Sequence, residues 1–112
     1  MSLLNDRMEQ IYKERIETHP NDYMATDKTW AKEIDILCED INDTIRYLNE
    51  ECTADGFSWI SEVMEDVAER TQSLEFVETL YKLAEKYPEE TKKYNIMSFV
   101  NGSKDCLRQF WD

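Results

Sequence analysis

The sequence predicts an all-α fold, a single compact bundle of five or six helices that spans residues 1–112. The chain contains only two Gly and two Pro, which are too few for the frequent turns of a β-rich domain. Long stretches consist of Glu, Lys, Leu, Ala and Met, which are good helix formers. A hydrophobic fraction of 41% supplies material for one core, and the length suits one domain.

Helical periodicity predicts the first two helices. The first is expected from about residue 2 to residue 18, followed by a turn at residues 19–22 that contains Pro20. The second is expected to be capped by Asp27 or Thr29 and to run to about Glu51. The inward faces of these helices are predicted to carry Leu4, Met8, Ile11, Tyr12 and Ile16 in the first, and Trp30, Ile34, Leu37, Ile41, Ile45 and Leu48 in the second.

Turn residues and helix-capping residues divide the rest of the chain into further helices. Asp55-Gly56 is expected to break it before a third helix at about residues 57–70. Ser73 is expected to cap a fourth helix, and Pro88 suits the first position of a fifth. The remaining expectations are that Asn101-Gly102 ends the fifth helix, that Ser103 caps a last short helix, and that Phe110 and Trp111 dock on the core.

The net charge of −12 restricts the kinds of partner. Nucleic acid and anionic membranes are poor partners, because both attract Lys and Arg and not carboxylates. A basic protein surface would be attracted. The charge is uneven along the chain, because residues 28–72 hold 12 acidic and four basic residues, a net charge of −8.

Within this stretch, acidic residues recur four positions apart. Like charges at that spacing destabilise a helix by roughly 0.2–0.5 kcal/mol per pair, so selection for stability alone would intersperse Lys and Arg. One interpretation is an acidic helical face that meets a basic partner, and the other is a face that only keeps the protein soluble. The residues predicted to contact the partner are Asp35, Glu39, Asp40, Asp43, Glu62, Glu65, Asp66 and Glu69, together with Trp59.

No pattern of residues indicates catalysis, a cofactor or a metal site. Cys38, Cys52 and Cys106 form no C-x-x-C pair, and they are expected to be reduced core residues. The single histidine, His19, falls in a turn, where an ordinary surface role is expected. The acidic run at residues 39–43 lacks the spacing of a calcium loop and is interpreted as a solvated face of a continuous helix.

The aromatic residues divide into two groups. Trp30, Phe57, Phe76, Phe99 and Phe110 fall on apolar faces and are expected in the core. A second group, which includes possible interface anchors, is less clearly inward, and its members are Tyr47, Trp59, Tyr81 and Tyr94. The N-terminal residues are charged throughout and no stretch is long enough to span a bilayer, so a cytoplasmic protein without a signal peptide is expected.

Three segments carry a resemblance to a known class of proteins. They are FSWISEVMEDV (57–67), FVETL (76–80) and YPEETKKYNI (87–96). Over about residues 55–100 the chain resembles the helical immunity proteins of bacterial contact-dependent growth inhibition systems. The resemblance implies a cytosolic antidote that binds the C-terminal toxin domain of a large secreted effector, and such toxins are often nucleases with basic surfaces. It transfers no functional residue.

Two other functional classes remain open. One is a helical adaptor or regulator that binds a peptide or helix of another protein, which requires an exposed apolar groove. The other is an enzyme with a buried carboxylate. Strong salt dependence of association favours the antidote, whereas activity lost on substitution of one buried Asp or Glu favours the enzyme.

Overall fold

The computed structural model describes residues 2–19 and 21–110, and the regular structure in those ranges is helical. The eight α-helices are α1 (Leu3–Glu17), α2 (Tyr23–Glu39), α3 (Ile41–Glu50), α4 (Ala54–Ile60), α5 (Met64–Thr71), α6 (Leu74–Lys86), α7 (Pro88–Lys93) and α8 (Ile96–Asp105). A 3₁₀ turn follows at Arg108–Phe110. The all-α class is confirmed for this part of the chain, but the expected five or six helices are too few.

The predicted second helix is two helices, because Asp40 interrupts it. The backbone of Asp40 is extended (φ −145°, ψ 93°), and its carboxylate accepts a hydrogen bond from the amide of Asp43. Asp40 therefore ends α2 and caps α3, and the expectation of a continuous helix through the acidic run was wrong. The helix also begins earlier than expected, since Asp22 caps α2 in place of Asp27 or Thr29.

The predicted third helix is also divided, into α4 and α5, at residues 61–63. Gly56 does not break the chain but lies in the first turn of α4, which Thr53 caps. A Cβ at Gly56 would come within 3.2 Å of the Tyr12 hydroxyl, so glycine permits close packing of α4 on α1.

In the last third of the chain, Ser73 and Pro88 begin α6 and α7 as expected. The expected end at Asn101-Gly102 was wrong, since both lie inside α8, and the break comes earlier, where Asn95 adopts a left-handed conformation with φ 53°. Ser103 caps no helix. It is buried in α8, and its hydroxyl donates to the carbonyl of Phe99.

The core lies where α1, α3 and α6 meet α4, α5 and α8, and Phe57 and Phe76 are fully buried in it as expected. Tyr47 is buried as well, and its hydroxyl lies 2.9 Å from that of Tyr12. Two residues expected inside are exposed, Ile16 (64%) and Phe99 (37%), while Trp30 is only partly buried. The expected docking of Phe110 and Trp111 falls on side chains outside the described part of the structure.

Candidate functional site

Half of the predicted contact carboxylates are paired with arginines of the same chain. The pairs are Glu39 with Arg7 (2.5 Å), Glu62 with Arg15 (2.8 Å), Asp43 with Arg46 (2.8 Å) and Asp35 with Arg70 (2.7 Å). The expectation of uncompensated charge was therefore wrong for these four. Arg7 and Arg15 belong to α1, outside residues 28–72, so the charge count missed them. Arg46 and Arg70 lie within that stretch and were counted, but a count along the chain does not show which acids they pair with.

Three of the remaining carboxylates lie together on α5. Glu65, Asp66 and Glu69, hereafter the α5 carboxylates, make no ion pair or side-chain hydrogen bond among the residues that the structure describes. Asp66 and Glu69 are exposed and Glu65 is partly exposed. Asp40, the eighth predicted carboxylate, is exposed but serves as the cap of α3. The α5 carboxylates are thus the part of the predicted face that remains available to a partner.

Two clefts border the α5 carboxylates. A cavity of about 350 Å³ between α5 and α8 is lined by Glu65, Glu69, Gly102, Asp105, Cys106 and Arg108. On the other side, a cavity of about 360 Å³ is lined by Ile34, Asp66, Glu69, Arg70 and Arg108. Glu69 and Arg108 line both clefts, so the border between them carries one carboxylate and one guanidinium. The other charged residues of the two linings are three acids and one base, Glu65, Asp66, Asp105 and Arg70, so the surroundings are negative on balance.

The pKa of the Cys106 thiol is affected by the negative charge around it. Partial burial and then the negative charges of Glu65 and Glu69 raise its pKa above the ordinary value, and Asp66 and Asp105 add to the effect. Cys106 is therefore surrounded by carboxylates of α5 and by Asp105, all of which act on its thiol in the same direction. An incoming ammonium or guanidinium group would be attracted by the same field.

Gly102 on α8 sets the position of one α5 carboxylate. A Cβ at Gly102 would lie 2.8 Å from Cδ of Glu65, which is closer than van der Waals contact allows. The absence of a side chain on α8 therefore lets the Glu65 carboxylate lie flat against that helix.

We expect Gly102→Ala to displace the Glu65 carboxylate at little cost in stability. The atoms in conflict are at the end of a flexible side chain, and alanine favours helix over glycine, so the free energy of unfolding should stay within about 1 kcal/mol of the native value. Urea unfolding and the carboxyl ¹³C shift of Glu65 would measure both effects. A loss above about 2 kcal/mol would mean that Glu65 is held rigidly in place.

Trp59 and Glu62 meet in a second cluster, at the junction of α1, α2 and the connection between α4 and α5. The guanidinium of Arg15 lies over the rings of Trp30 (5.9 Å) and Trp59 (5.4 Å). It donates to both carboxylate oxygens of Glu62, at 3.0 and 2.8 Å, and Trp30 Nε1 donates to the same carboxylate at 3.2 Å. The fold thus brings Trp59 and Glu62 together, but both contact Arg15 of the same chain.

The side chains considered for chemistry do not converge on one another. Cys38, Cys52 and Cys106 are free thiols, of which only Cys52 is buried. His19 is exposed, and its Nδ1 accepts a hydrogen bond from the amide of Asn21. Within residues 2–19 and 21–110, no group of three or more His, Cys, Asp or Glu side chains is arranged to hold a metal ion.

Sequence reasoning missed an apolar groove between α6, α7 and α8. Its volume is about 420 Å³, and its lining residues are Tyr81, Ala84, Glu85, Pro88, Thr91, Lys92, Asn95 and Met97. Tyr81 donates to Asn101 Oδ1 at 2.7 Å, which fixes one wall. The sequence signal for this groove was that Tyr81 and Met97 lie off the main apolar helix faces.

A second missed feature is the exposed apolar end of the α1–α2 hairpin. Ile16, Tyr23 and Met24 are 64%, 74% and 75% exposed. The first turn of α2 was not predicted, so Tyr23 and Met24 had been assigned to no helix face. Recognition of Asp22 as the cap would have placed both at a helix end.

None of the helices in the described part of the chain combines the length and hydropathy that crossing a bilayer requires. Comparisons with protein-family models, with curated proteins and with solved structures give no significant match to this chain. The features of this chain that bear on its function are the α5 carboxylates, the apolar groove, and the cluster of Arg15, Trp30, Trp59 and Glu62, hereafter the Arg15 cluster.

Proposed function

We propose that the chain is a non-enzymatic cytoplasmic antidote that binds a basic toxin domain through the α5 carboxylates. One observation carries this proposal: Glu65, Asp66 and Glu69 make no ion pair with any described residue and lie beside two clefts on a chain of net charge −12. Lys or Arg side chains of a partner would enter those clefts and find acceptors there. Charge complementarity of this kind accelerates association and discriminates against acidic partners.

The intramolecular pairs give a reason to favour α5 over the rest of the predicted face. A partner cation that binds Glu39 or Asp35 must first displace Arg7 or Arg70. Exchange of one exposed ion pair for another gains little free energy. An unpaired carboxylate at the edge of a cleft has no existing ion pair to break, so it gains more from the same cation. The paired carboxylates are therefore expected to contribute mainly through their long-range field.

The toxin class follows from the charge and from the resemblance to immunity proteins. Nuclease surfaces are basic because they hold phosphates, and the α5 carboxylates could cover a substrate site or its rim. The proposed partner is therefore the C-terminal nuclease domain of a large secreted effector, and the proposed role is protection of the producing cell.

A growth-protection assay tests this function. The C-terminal domain of a large secreted protein encoded immediately upstream would be expressed in a bacterial host, with and without this chain. We expect growth arrest without the chain and normal growth with it. Arrest that persists when both proteins are folded and abundant would contradict the proposal, whereas a non-toxic upstream domain would exclude that candidate partner.

The apolar groove favours a second candidate, an adaptor that binds a peptide or helix of another protein. Met97→Glu would place a charge in the groove without altering α5. If an adaptor function is correct, this substitution abolishes partner binding and added salt has little effect. For the antidote, we expect Met97→Glu to leave binding and growth protection unchanged.

A further inference from the structure

Glu33 on α2 is a buried carboxyl group with an unsatisfied oxygen. It is 1% exposed, and Oε1 has no hydrogen-bond partner within residues 2–19 and 21–110. Trp30 lies three positions before it and Leu37 four positions after it, so Glu33 occupies the inward face of α2. A buried ionised carboxylate without a partner is strongly unfavourable.

The nearest cation is already engaged. Arg15 donates to both oxygens of Glu62 through Nε and Nη2 and lies over the rings of Trp30 and Trp59, and it makes no hydrogen bond to Glu33 Oε1. The ionisable groups that act on Glu33 come from two neighbouring elements, Arg15 on α1 and Glu62 from the α4–α5 connection. The charge of Glu33 in turn helps to raise the pKa of Tyr12 on α1, after burial and the neighbouring Tyr47 and Cys52. Arg15 is therefore bonded to Glu62 and affects Glu33 only through its charge.

These surroundings favour the neutral acid. Burial first, and then the negative charge of Glu62, raise the pKa of the Glu33 carboxyl to about 8, although the charge of Arg15 lowers it. Glu33 consequently keeps its proton at neutral pH, which allows Arg15 to stay on Glu62.

We propose that Glu33 is the proton-controlled element of a conformational switch at the junction of α1, α2 and the α4–α5 connection. When Glu33 loses its proton, two carboxylates compete for Arg15. The guanidinium then leaves Glu62 and its place between Trp30 and Trp59, and the junction loosens. This inference does not depend on the identity of the partner proposed above.

The proton linkage has a definite sign. In the unfolded chain Glu33 ionises near the ordinary glutamate pKa of 4.5, whereas in the folded chain it ionises near 8. Between those values the folded state holds one more proton than the unfolded state, so raising the pH favours unfolding. The contribution to the unfolding equilibrium constant is about tenfold per pH unit in that interval, and it is constant above about pH 8.

Urea unfolding at several pH values between 5 and 9 tests the linkage. We expect Glu33→Gln to remove the tenfold-per-unit increase that the native protein shows. The matched control is Glu17→Gln, which makes the same side-chain substitution at an exposed position of α1 and should leave the native pH profile unchanged. Parallel profiles for the native protein and Glu33→Gln would overturn the proposal.

Two measurements on proteins that retain Glu33 keep the proposal testable if Glu33→Gln fails to fold. Carboxyl ¹³C titration of the native protein should show one glutamate with a midpoint near pH 8, and ordinary midpoints for every glutamate would overturn it. In a Trp111→Phe background, fluorescence of Trp30 and Trp59 should change with the same midpoint. Unchanged fluorescence while Glu33 titrates would overturn the movement of Arg15.

Discussion

Reversal of Glu65, Asp66 and Glu69 to lysine is expected to weaken binding of a basic toxin domain by about 4 kcal/mol, or about a thousandfold in Kd. Each substitution removes an acceptor at the edge of a cleft and puts a like charge against the cations of the partner. The Kd of the native and variant proteins, measured by calorimetry at one ionic strength, would give the size of the effect.

The matched control reverses Glu75, Glu78 and Glu89, which are exposed on α6 and α7 and change the net charge equally. We expect this control to weaken binding only a few-fold through the long-range field. Equal losses from both triple variants would show that net charge, and not the position of the α5 carboxylates, determines binding. Glu65 and Asp66 lie in the first turn of α5, where acids favour the helix, so circular dichroism must confirm that the variant folds.

Arg15→Ala is expected to lower the free energy of unfolding by about 3 kcal/mol at neutral pH. The Arg15 and Glu62 side chains are 23% and 25% exposed, so the pair is mostly shielded from water. Loss of Arg15 leaves the Glu62 carboxylate beside Glu33 without a cation and removes the group stacked between two Trp rings. Urea unfolding monitored by circular dichroism would measure the change.

Arg70→Ala is the control for this substitution, because the pair with Asp35 is exposed, at 55% and 70%. An exposed ion pair contributes little, so its urea midpoint should remain close to the native value. The double variant Arg15→Ala/Glu62→Ala should recover part of the stability that Arg15→Ala loses, because it removes the orphaned charge. Similar losses of unfolding free energy from Arg15→Ala and Arg70→Ala would contradict the claim that the Arg15–Glu62 pair is shielded and the Arg70–Asp35 pair is not.

Elements defined by local chemistry could be predicted from the sequence. Ser73 and Pro88 begin helices because a hydroxyl cap and a missing N–H suit those positions in any context. Asp40 could not be recognised as a break, because an acid inside an unbroken apolar stripe resembles a solvated helix residue. Its carboxylate becomes the cap of α3 only because the fold packs α2 and α3 as separate helices.

The candidate site was predictable only in part. Glu65, Asp66 and Glu69 could be named from charge alone, since no base within one helical turn besides Arg70 offsets them. The pairs of Arg7 with Glu39 and of Arg15 with Glu62 join residues 32 and 47 positions apart, so they arise from the tertiary fold. The burial of Glu33 had a local signal, which is its spacing from Trp30 and Leu37. An isolated acid on an apolar helix face is, however, ordinarily expected at the edge of that face, where its carboxylate reaches water.

The salt dependence of the association rate tests most directly whether the α5 carboxylates meet a basic partner. The rate constant with the toxin domain would be measured from low to high ionic strength for three proteins. They are the native chain, Glu65→Gln/Asp66→Asn/Glu69→Gln, and Asp35→Asn/Glu39→Gln/Asp43→Asn. We expect a steep decrease with salt for the native chain, a shallow one for the α5 variant, and an intermediate slope for the variant of paired carboxylates. Equal slopes for all three proteins would contradict a role for α5 in recognition.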